Sequence, residues 1–229
     1  MQYLNDQQLG ETLDWELSTD TYSMACVIGV MGQIGSGKDT STDYIVEKYK
    51  YKKYAFATPG KNMLIALGVP KKSVFGTQEE KMEIMEGFGV SGRHMMQTVL
   101  THLRENMGDI VPDIDLGPSG NIWLKAFQVY VDNLEKKYKS PKVITSDVRF
   151  LDEANAVKDL GGVIIKVIRD TDTEEKVAQH VSETSGNEIV PDYTIDNNGT
   201  LDELYEKLDA IVEEINMFHK KRVKAFKKN

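Results

Sequence analysis

The chain has 229 residues, 40% hydrophobic and 28% charged, which suits a soluble globular protein with one α/β domain and room for a small insertion or lid. Its formal net charge of −8 opposes general attraction to nucleic acid or to an anionic membrane. One cysteine cannot form an internal disulfide, no run approaches the ~20 apolar residues of a membrane span, and residues 1–23 lack the basic start and apolar core of a signal peptide, so a cytoplasmic protein is expected.

Residues 1–23 are polar and acidic, with Leu4, Leu9, Leu13, Trp15 and Leu17 interspersed, and read as an N-terminal extension that Trp15 packs onto the core. Residues 24–229 then read as a single domain. Ala25–Met31 is an apolar strand with Cys26 as a small buried residue. It runs directly into Gly32-Gln-Ile-Gly35-Ser36-Gly37-Lys38-Asp39-Thr40, and a helix follows from Gly37 to about Tyr49. Strand, G-x-x-x-x-G-K, helix is the context of a phosphate-binding loop; a ligand-free glycine turn is the alternative. Glycines let the backbone wrap a polyphosphate closely, and successive N–H groups with the helix N-terminus supply positive partial charge. Lys38 adds a mobile point charge. The usual Ser or Thr after Gly-Lys is replaced by Asp39 and then Thr40, a carboxylate and a hydroxyl suited to magnesium.

A short strand is expected at Tyr54–Ala57, and Pro59 fits the start of a helix from Lys61 to Leu67. Residues 68–90 read as a mobile insertion. Ser91 opens a helix with Met95, Met96, Val99, Leu100, Leu103 and Met107 at three-to-four spacing, 108–121 is a loop, and Ile122–Tyr138 is a second long helix. Val143–Asp147 reads as a core strand ending in a carboxylate, Leu151–Leu160 as a helix and Val163–Ile168 as a strand. Polar residues 170–191 have the character of a lid. Tyr193–Asp196 is a last short strand, turned by Asn197-Asn-Gly199. Thr200 and Glu203 form a capping box for a helix with Leu201, Leu204, Leu208, Ile211, Val212 and Ile215 on one face. The basic segment His219–Lys228 reads as a solvated helix end or frayed tail. Alternating strands and helices predict a mostly parallel sheet in a three-layer α/β/α domain. The helices at 122–138 and 200–218 suit either internal packing or a homodimer.

Lysine dominates the basic residues, so the five arginines single themselves out for bidentate or planar recognition. Arg93 and Arg104 bracket one helix, Arg149 follows a strand's carboxyl end, and Arg169 closes the next strand and opens the presumed lid. Ligands of parallel sheets bind beyond those carboxyl ends, although an ordinary surface ion pair is the plain alternative for each. Asp147, Arg149 and Glu153 form a second constellation: a metal-organising carboxylate, a phosphate-binding guanidinium and a group able to orient it. His94, His102 and His180 show no metal-ligand spacing, no Cys/His cluster suggests zinc, and no G-x-S-x-G elbow suggests a serine hydrolase.

Taken in order, Gly35-Ser-Gly-Lys-Asp-Thr40, Gly92-Arg-His-Met-Met-Gln97 with Arg104, Trp123, Ser146-Asp-Val-Arg-Phe150 with Glu153-Ala154, His180-Val-Ser-Glu183 and Ile195-Asp-Asn-Asn-Gly199 resemble the bacteriophage deoxynucleoside monophosphate kinases, a branch of the P-loop nucleoside monophosphate kinases. The resemblance covers about residues 24–215. It implies transfer of the ATP γ-phosphate to a deoxynucleoside monophosphate (dNMP) with magnesium, in the infected cell's cytoplasm for a phage-encoded enzyme. It assigns Gly35, Ser36, Gly37, Lys38, Asp39 and Thr40 to the ATP phosphates, with Asp39 and Thr40 toward the metal. An acceptor region of about 58–140 would hold the dNMP, and Lys61, Arg93, Arg104, Trp123, Asp147, Arg149 and Glu153 would surround it. Trp123 is equally readable as a packing anchor. Lys38, Arg104, Asp147, Arg149 and Arg169 are the expected catalytic set. Two other readings are a kinase of dephospho-coenzyme A or a ribonucleotide, and a P-loop ATPase switch.

Overall fold

Alternation along the first strand decides the layering of the molecule. Within β1 (Cys26–Met31), Cys26, Ile28 and Val30 face a core shared with α1 (Lys38–Tyr49), whereas Val27 and Met31 face the opposite core, joined by Ala25 just before the strand. With both faces covered, every residue of β1 is buried, as a central parallel strand requires. The structure, a computed structural model, describes residues 23–170 and 188–226. Most of the expected N-terminal extension, Trp15, His180–Glu183 and most of the expected lid lie outside those residues.

Strands β2 (Lys52–Tyr54), β3 (Lys142–Thr145), β4 (Val163–Ile168) and β5 (Tyr193–Asp196) join β1 in one sheet of order β2-β3-β1-β4-β5. Every pairing is parallel, with Val27 opposite Val143 and Gly29 opposite Ile164. On one face lie α1 and the long α9 (Leu201–Phe226), whose Leu204, Leu208, Val212 and Ile215 meet Ile45, Ile144 and Ile165. The capping box of Thr200 and Glu203 starts this helix, and stacked Tyr44 and Tyr205 rings, 3.8 Å apart, clip it to α1. On the other face lie α7 (Ile122–Lys137) and α8 (Leu151–Asp159), whose Leu124, Phe127, Val131, Ala154 and Val157 bury against Val27, Val143 and Ile164. This is the expected three-layer P-loop arrangement. The apolar faces of both long helices are used inside the chain.

Four details differ from the sequence reading. The second strand ends at Tyr54, and the helix that follows, α2 (Thr58–Ala66), begins three residues earlier than expected, with Pro59 in its first turn. Phe56 is buried beyond the strand. Residues 68–90 are built, with α3 (Lys71–Phe75) and α4 (Gln78–Met82) around a small core of Leu64, Val69, Val74 and Met85; Thr77 and Glu80 cap α4 reciprocally. The single helix expected from Ser91 consists of α5 (Gly92–Met95), a π-helical turn (Met96–Leu100) and α6 (Thr101–Ile110), with Ser91 as its cap. The last helix continues through the basic segment to Phe226 because His219 and Arg222 are tied inward: Arg222 donates to the carbonyls of Gly161 and Ala25.

His219 is only 9% exposed. Arg222 can only donate, so His219 Nδ1 accepts from it at 3.3 Å and Nε2 carries the proton, donating to Ser140 Oγ at 2.7 Å. Burial, reinforced by Arg222 and Lys142, lowers its pKa from 6.5 to about 4. The unfolded chain therefore takes up this proton first as pH falls, and stability is lost between those values. Urea titrations at pH 7 and pH 4.5 should show an acid destabilisation that is smaller in His219→Gln by on the order of 1–3 kcal/mol.

Candidate active site

The phosphate loop leaves β1 at the sheet's topological switch, where neighbouring connections depart to opposite faces and open a crevice beyond the strands' carboxyl ends. Gly35 and Gly37 adopt φ of 81° and 94°, conformations that cost a side-chain-bearing residue but not glycine. A Cβ on Gly37 would lie 2.3 Å from Asn197 Nδ2, and one on Gly32 would lie 2.5 Å from both Ser36 Oγ and the Val167 carbonyl. The loop is therefore pressed against the ends of β4 and β5 with no space for side chains. Asn197, in the turn after β5, donates through Nδ2 to the Ser36 carbonyl at 2.8 Å in a buried bond, and its own N–H donates to the Ile168 carbonyl. Asn198 continues the tie: its Oδ1 accepts from the Asp170 N–H and its Nδ2 donates to Asp170 Oδ2.

Ser36 is 2% exposed, yet its Oγ has no hydrogen-bond partner. A buried hydroxyl left without a partner within a glycine cradle suits a phosphate oxygen as its missing partner. Lys38 opens α1 with its side chain mostly covered, 3.7 Å from the exposed Asp39 carboxylate. Thr40 is exposed beside it. Magnesium with a nucleotide commonly uses one or two carboxylates plus phosphates and water, and the exposed Asp39 carboxylate and Thr40 hydroxyl are oxygen ligands of that kind.

The second half of the site is the segment after β3. The Val148 N–H donates to the Val30 carbonyl, which pins Asp147–Arg149 beside the end of β1. Arg149 Nε donates to Asp147 Oδ1 at 2.6 Å. Glu153 acts on Arg149 through the backbone rather than the guanidinium: its Oε2 accepts from the N–H groups of Arg149 at 2.8 Å and Phe150 at 3.2 Å, capping α8. Its Oε1 accepts from Arg104 Nη1 at 3.3 Å. Burial raises Glu153 to about 7, opposed by the two backbone N–H groups and by Arg104.

Arg104 is held more firmly than its place in the sequence implies. Nη2 donates to both Asp152 oxygens at 2.6 and 2.8 Å, and the guanidinium lies 3.9 Å from the Phe150 ring centroid. Asn121 Nδ2 also donates to Asp152. Asp152, Asn121 and Phe150 were missed by the sequence reading, although an acid directly before Glu153 in a helix's first turn was a usable signal. Lys61 on α2 stands in the same field: burial lowers its pKa, Lys81 and Arg149 add to that, and Asp147 opposes it. Trp123 is half-buried and its Nε1 donates to the Leu100 carbonyl at 3.1 Å, joining α7 to the π turn, while its ring edge abuts Gly60. Arg93 binds Gln78 Oε1 on the exposed outer side of the small helices. Arg169 is exposed at the end of β4. The structure thus brings together the loop, Lys61, Asp147, Arg149, Glu153 and Arg104; Arg93 is engaged elsewhere.

Residues 70–208 match the family model described as "Deoxynucleotide monophosphate kinase". A protein of Acanthamoeba polyphaga mimivirus named "Putative deoxynucleotide monophosphate kinase" is 33% identical over 191 residues, covering 82% of this chain and 96% of that one. Among solved structures, TT1252 of Thermus thermophilus is 16% identical with a TM-score of 0.46, covering 83% of this chain and 97% of that one. A dephospho-CoA kinase of Campylobacter jejuni is 13% identical with a TM-score of 0.47, covering 84% and 98%.

Removing the Asn197 side chain should loosen the phosphate loop without unfolding the sheet. In Asn197→Ala, amide hydrogen exchange at residues 35–38 is expected to rise about tenfold, the equivalent of one buried hydrogen bond, while β1 and β3 keep wild-type protection.

Proposed function

The chain belongs to the deoxynucleotide monophosphate kinase family, and from that premise we propose that the crevice at the carboxyl ends of β1, β3 and β4 transfers the γ-phosphoryl group of ATP to the 5′-phosphate of a dNMP. The observation that carries the reading is the glycine cradle with Lys38 and the orphaned Ser36 hydroxyl, which suits the ATP phosphates. Arg149, paired with Asp147 and tied beside the end of β1 through Val148, together with Lys61 in the electrostatic field of both, suits the acceptor phosphate. The family match begins after the loop, so the loop's own geometry supports the ATP assignment independently.

The chemistry needs no strong base. A 5′-phosphate has its second pKa near 6 and is largely a dianion at neutral pH. One of its oxygens attacks the γ-phosphorus in line as the bond to the β–γ bridging oxygen breaks, giving dNDP and ADP. The obstacle is repulsion between two anions, so catalysis reduces to positioning and charge neutralisation. Loop N–H groups and Lys38 hold the donor phosphates, while Lys61 and Arg149 hold the acceptor phosphate. Asp39, Thr40 and Asp147 would hold magnesium, which supplies charge neutralisation at the transferring phosphate.

Arg104 and Glu153 belong to the scaffold of this subsite: Glu153 sets the backbone at Arg149, and Arg104 keeps Glu153 and Asp152 in place. Trp123 braces the acceptor wall. Arg169, exposed at the end of β4, is a further candidate to meet the transferring phosphate. An Arg169→Ala enzyme with normal turnover would remove that role.

The deciding assay incubates the protein with ATP, magnesium and, separately, each of the four dNMPs, AMP and dephospho-coenzyme A. Diphosphates from one or more dNMPs are expected, with kcat reduced about 100-fold or more in Lys38→Ala. Arg149→Ala should raise KM for the dNMP by about tenfold or more while leaving KM for ATP near wild type. ATP hydrolysis with no phosphorylated acceptor would defeat the reading.

A further inference from the structure

At the opposite end of the molecule, a groove of about 540 Å³ is bounded by the end of α1, the start of β3 and the lower half of α9. Its volume is that of a small-ligand site. Its lining is basic in an acidic protein: Lys142, Lys220, Lys221 and Lys224 converge on it, with Glu213 as the one acid and Tyr49 and Asn216 as further polar groups. α1 carries the chain roughly 18 Å away from the phosphate loop, so this groove is separate from the active site.

Six lysines elsewhere find carboxylates: Lys38, Lys48, Lys53, Lys72, Lys125 and Lys158 pair with Asp39, Asp209, Asp43, Glu83, Asp115 and Asp192. Among the described residues, none of the four groove lysines forms an ion pair. Lys142 is half-buried, lies 5.3 Å from the Tyr51 ring centroid, and reaches the Tyr49 carbonyl only at 3.5 Å. Burial lowers its pKa, and the charge on Lys220 lowers it further. Lys224 complements the helix dipole at the end of α9 and Lys221 lies 5.5 Å from the Phe218 ring centroid, but neither contact neutralises a charge. Holding these cations together costs energy that a multivalent anion would offset.

We propose that this groove binds a compact polyphosphate anion, the triphosphate of a free nucleotide or an inorganic chain, at a site distinct from the phosphate loop. A compact ligand fits better than nucleic acid because the basic lining is confined to one groove, with Glu213 on its wall and Asp209 one turn above on α9, in a chain of net charge −8. Lysine ammonium groups suit a phosphate chain as point charges, without the planar geometry an arginine would impose.

Calorimetric titration with inorganic tripolyphosphate, without magnesium, tests this directly. Lys38→Ala, whose phosphate loop is disabled, is expected to retain one binding event. Combining it with Lys142→Gln, Lys220→Gln and Lys224→Gln should weaken that event at least tenfold, with an unchanged circular dichroism spectrum and melting temperature as the fold control. A dNTP arm separates the two sources: tighter binding than tripolyphosphate assigns the site to nucleotides, and equal binding assigns it to the phosphate chain alone. Absence of binding in Lys38→Ala, or binding unchanged by the lysine substitutions, overturns the proposal. Tighter binding of a single-stranded oligonucleotide through the same lysines also overturns it. None of these outcomes depends on which acceptor the kinase uses.

Discussion

The architecture depends on one contact, the close approach of the backbone at residues 35–37 to the turn after β5. A phosphate cradle needs several N–H groups aimed at one point, and a loop does not hold that shape unaided. Here it is held from behind by Asn197, whose side-chain amide donates to the Ser36 carbonyl while its own backbone is bonded to the end of β4. The approach is so tight that Gly37 tolerates no Cβ. For Asn197 to arrive there, β5 must lie beside β4, β4 beside β1, and all must run parallel. The strand order and the loop shape are therefore consequences of a single requirement.

A second constraint resolves an apparent conflict between an acidic protein and two anionic substrates. The positive charge is local, and the neighbouring carboxylates position it. Asp147 holds Arg149, while Asp152 and Glu153 hold Arg104. Glu153 is the hub because one carboxylate closes the N-terminus of α8, sets the Arg149 backbone and receives Arg104. Its burial would favour the protonated form, and three donors oppose that. Loss of any one donor leaves a buried carboxyl short of partners, so the segment behaves as a unit.

Much of this was legible in the sequence, for identifiable reasons. The loop, β1, β4, β5 and the Thr200 capping box are local signals that need no tertiary knowledge, and each lies where the spacing put it. The layer architecture followed from alternation of strands and helices. What failed depended on distant partners. The second strand stops at Tyr54 because its register with β3 ends there, a fact carried by Thr145 some ninety residues away. The 68–90 segment looked mobile from its charge, yet Val69, Val74 and Met85 bury it against Leu64 of α2. Asp152 and Asn121 converge on Arg104 from separate elements, and no sequence spacing encodes that meeting. Arg222, whose role no local signal gives, donates to the carbonyls of Gly161 and Ala25 from two separate segments.

The pairing of Arg149 with Asp147 has a consequence for the order of events. In this structure the guanidinium is already oriented by a carboxylate that itself suits magnesium. On the proposed reading, a dianionic acceptor would compete with Asp147 for Arg149, and a metal held by Asp147 would compete with Arg149. Occupation of either position thus weakens the ion pair and makes the other partner more available. Binding of metal-nucleotide and acceptor would then be mutually favourable without any movement of the backbone, because the coupling resides in one shared ion pair. Glu153 accepts from the Arg149 amide rather than from its guanidinium, so the backbone stays fixed whichever carboxylate or phosphate the charged end meets.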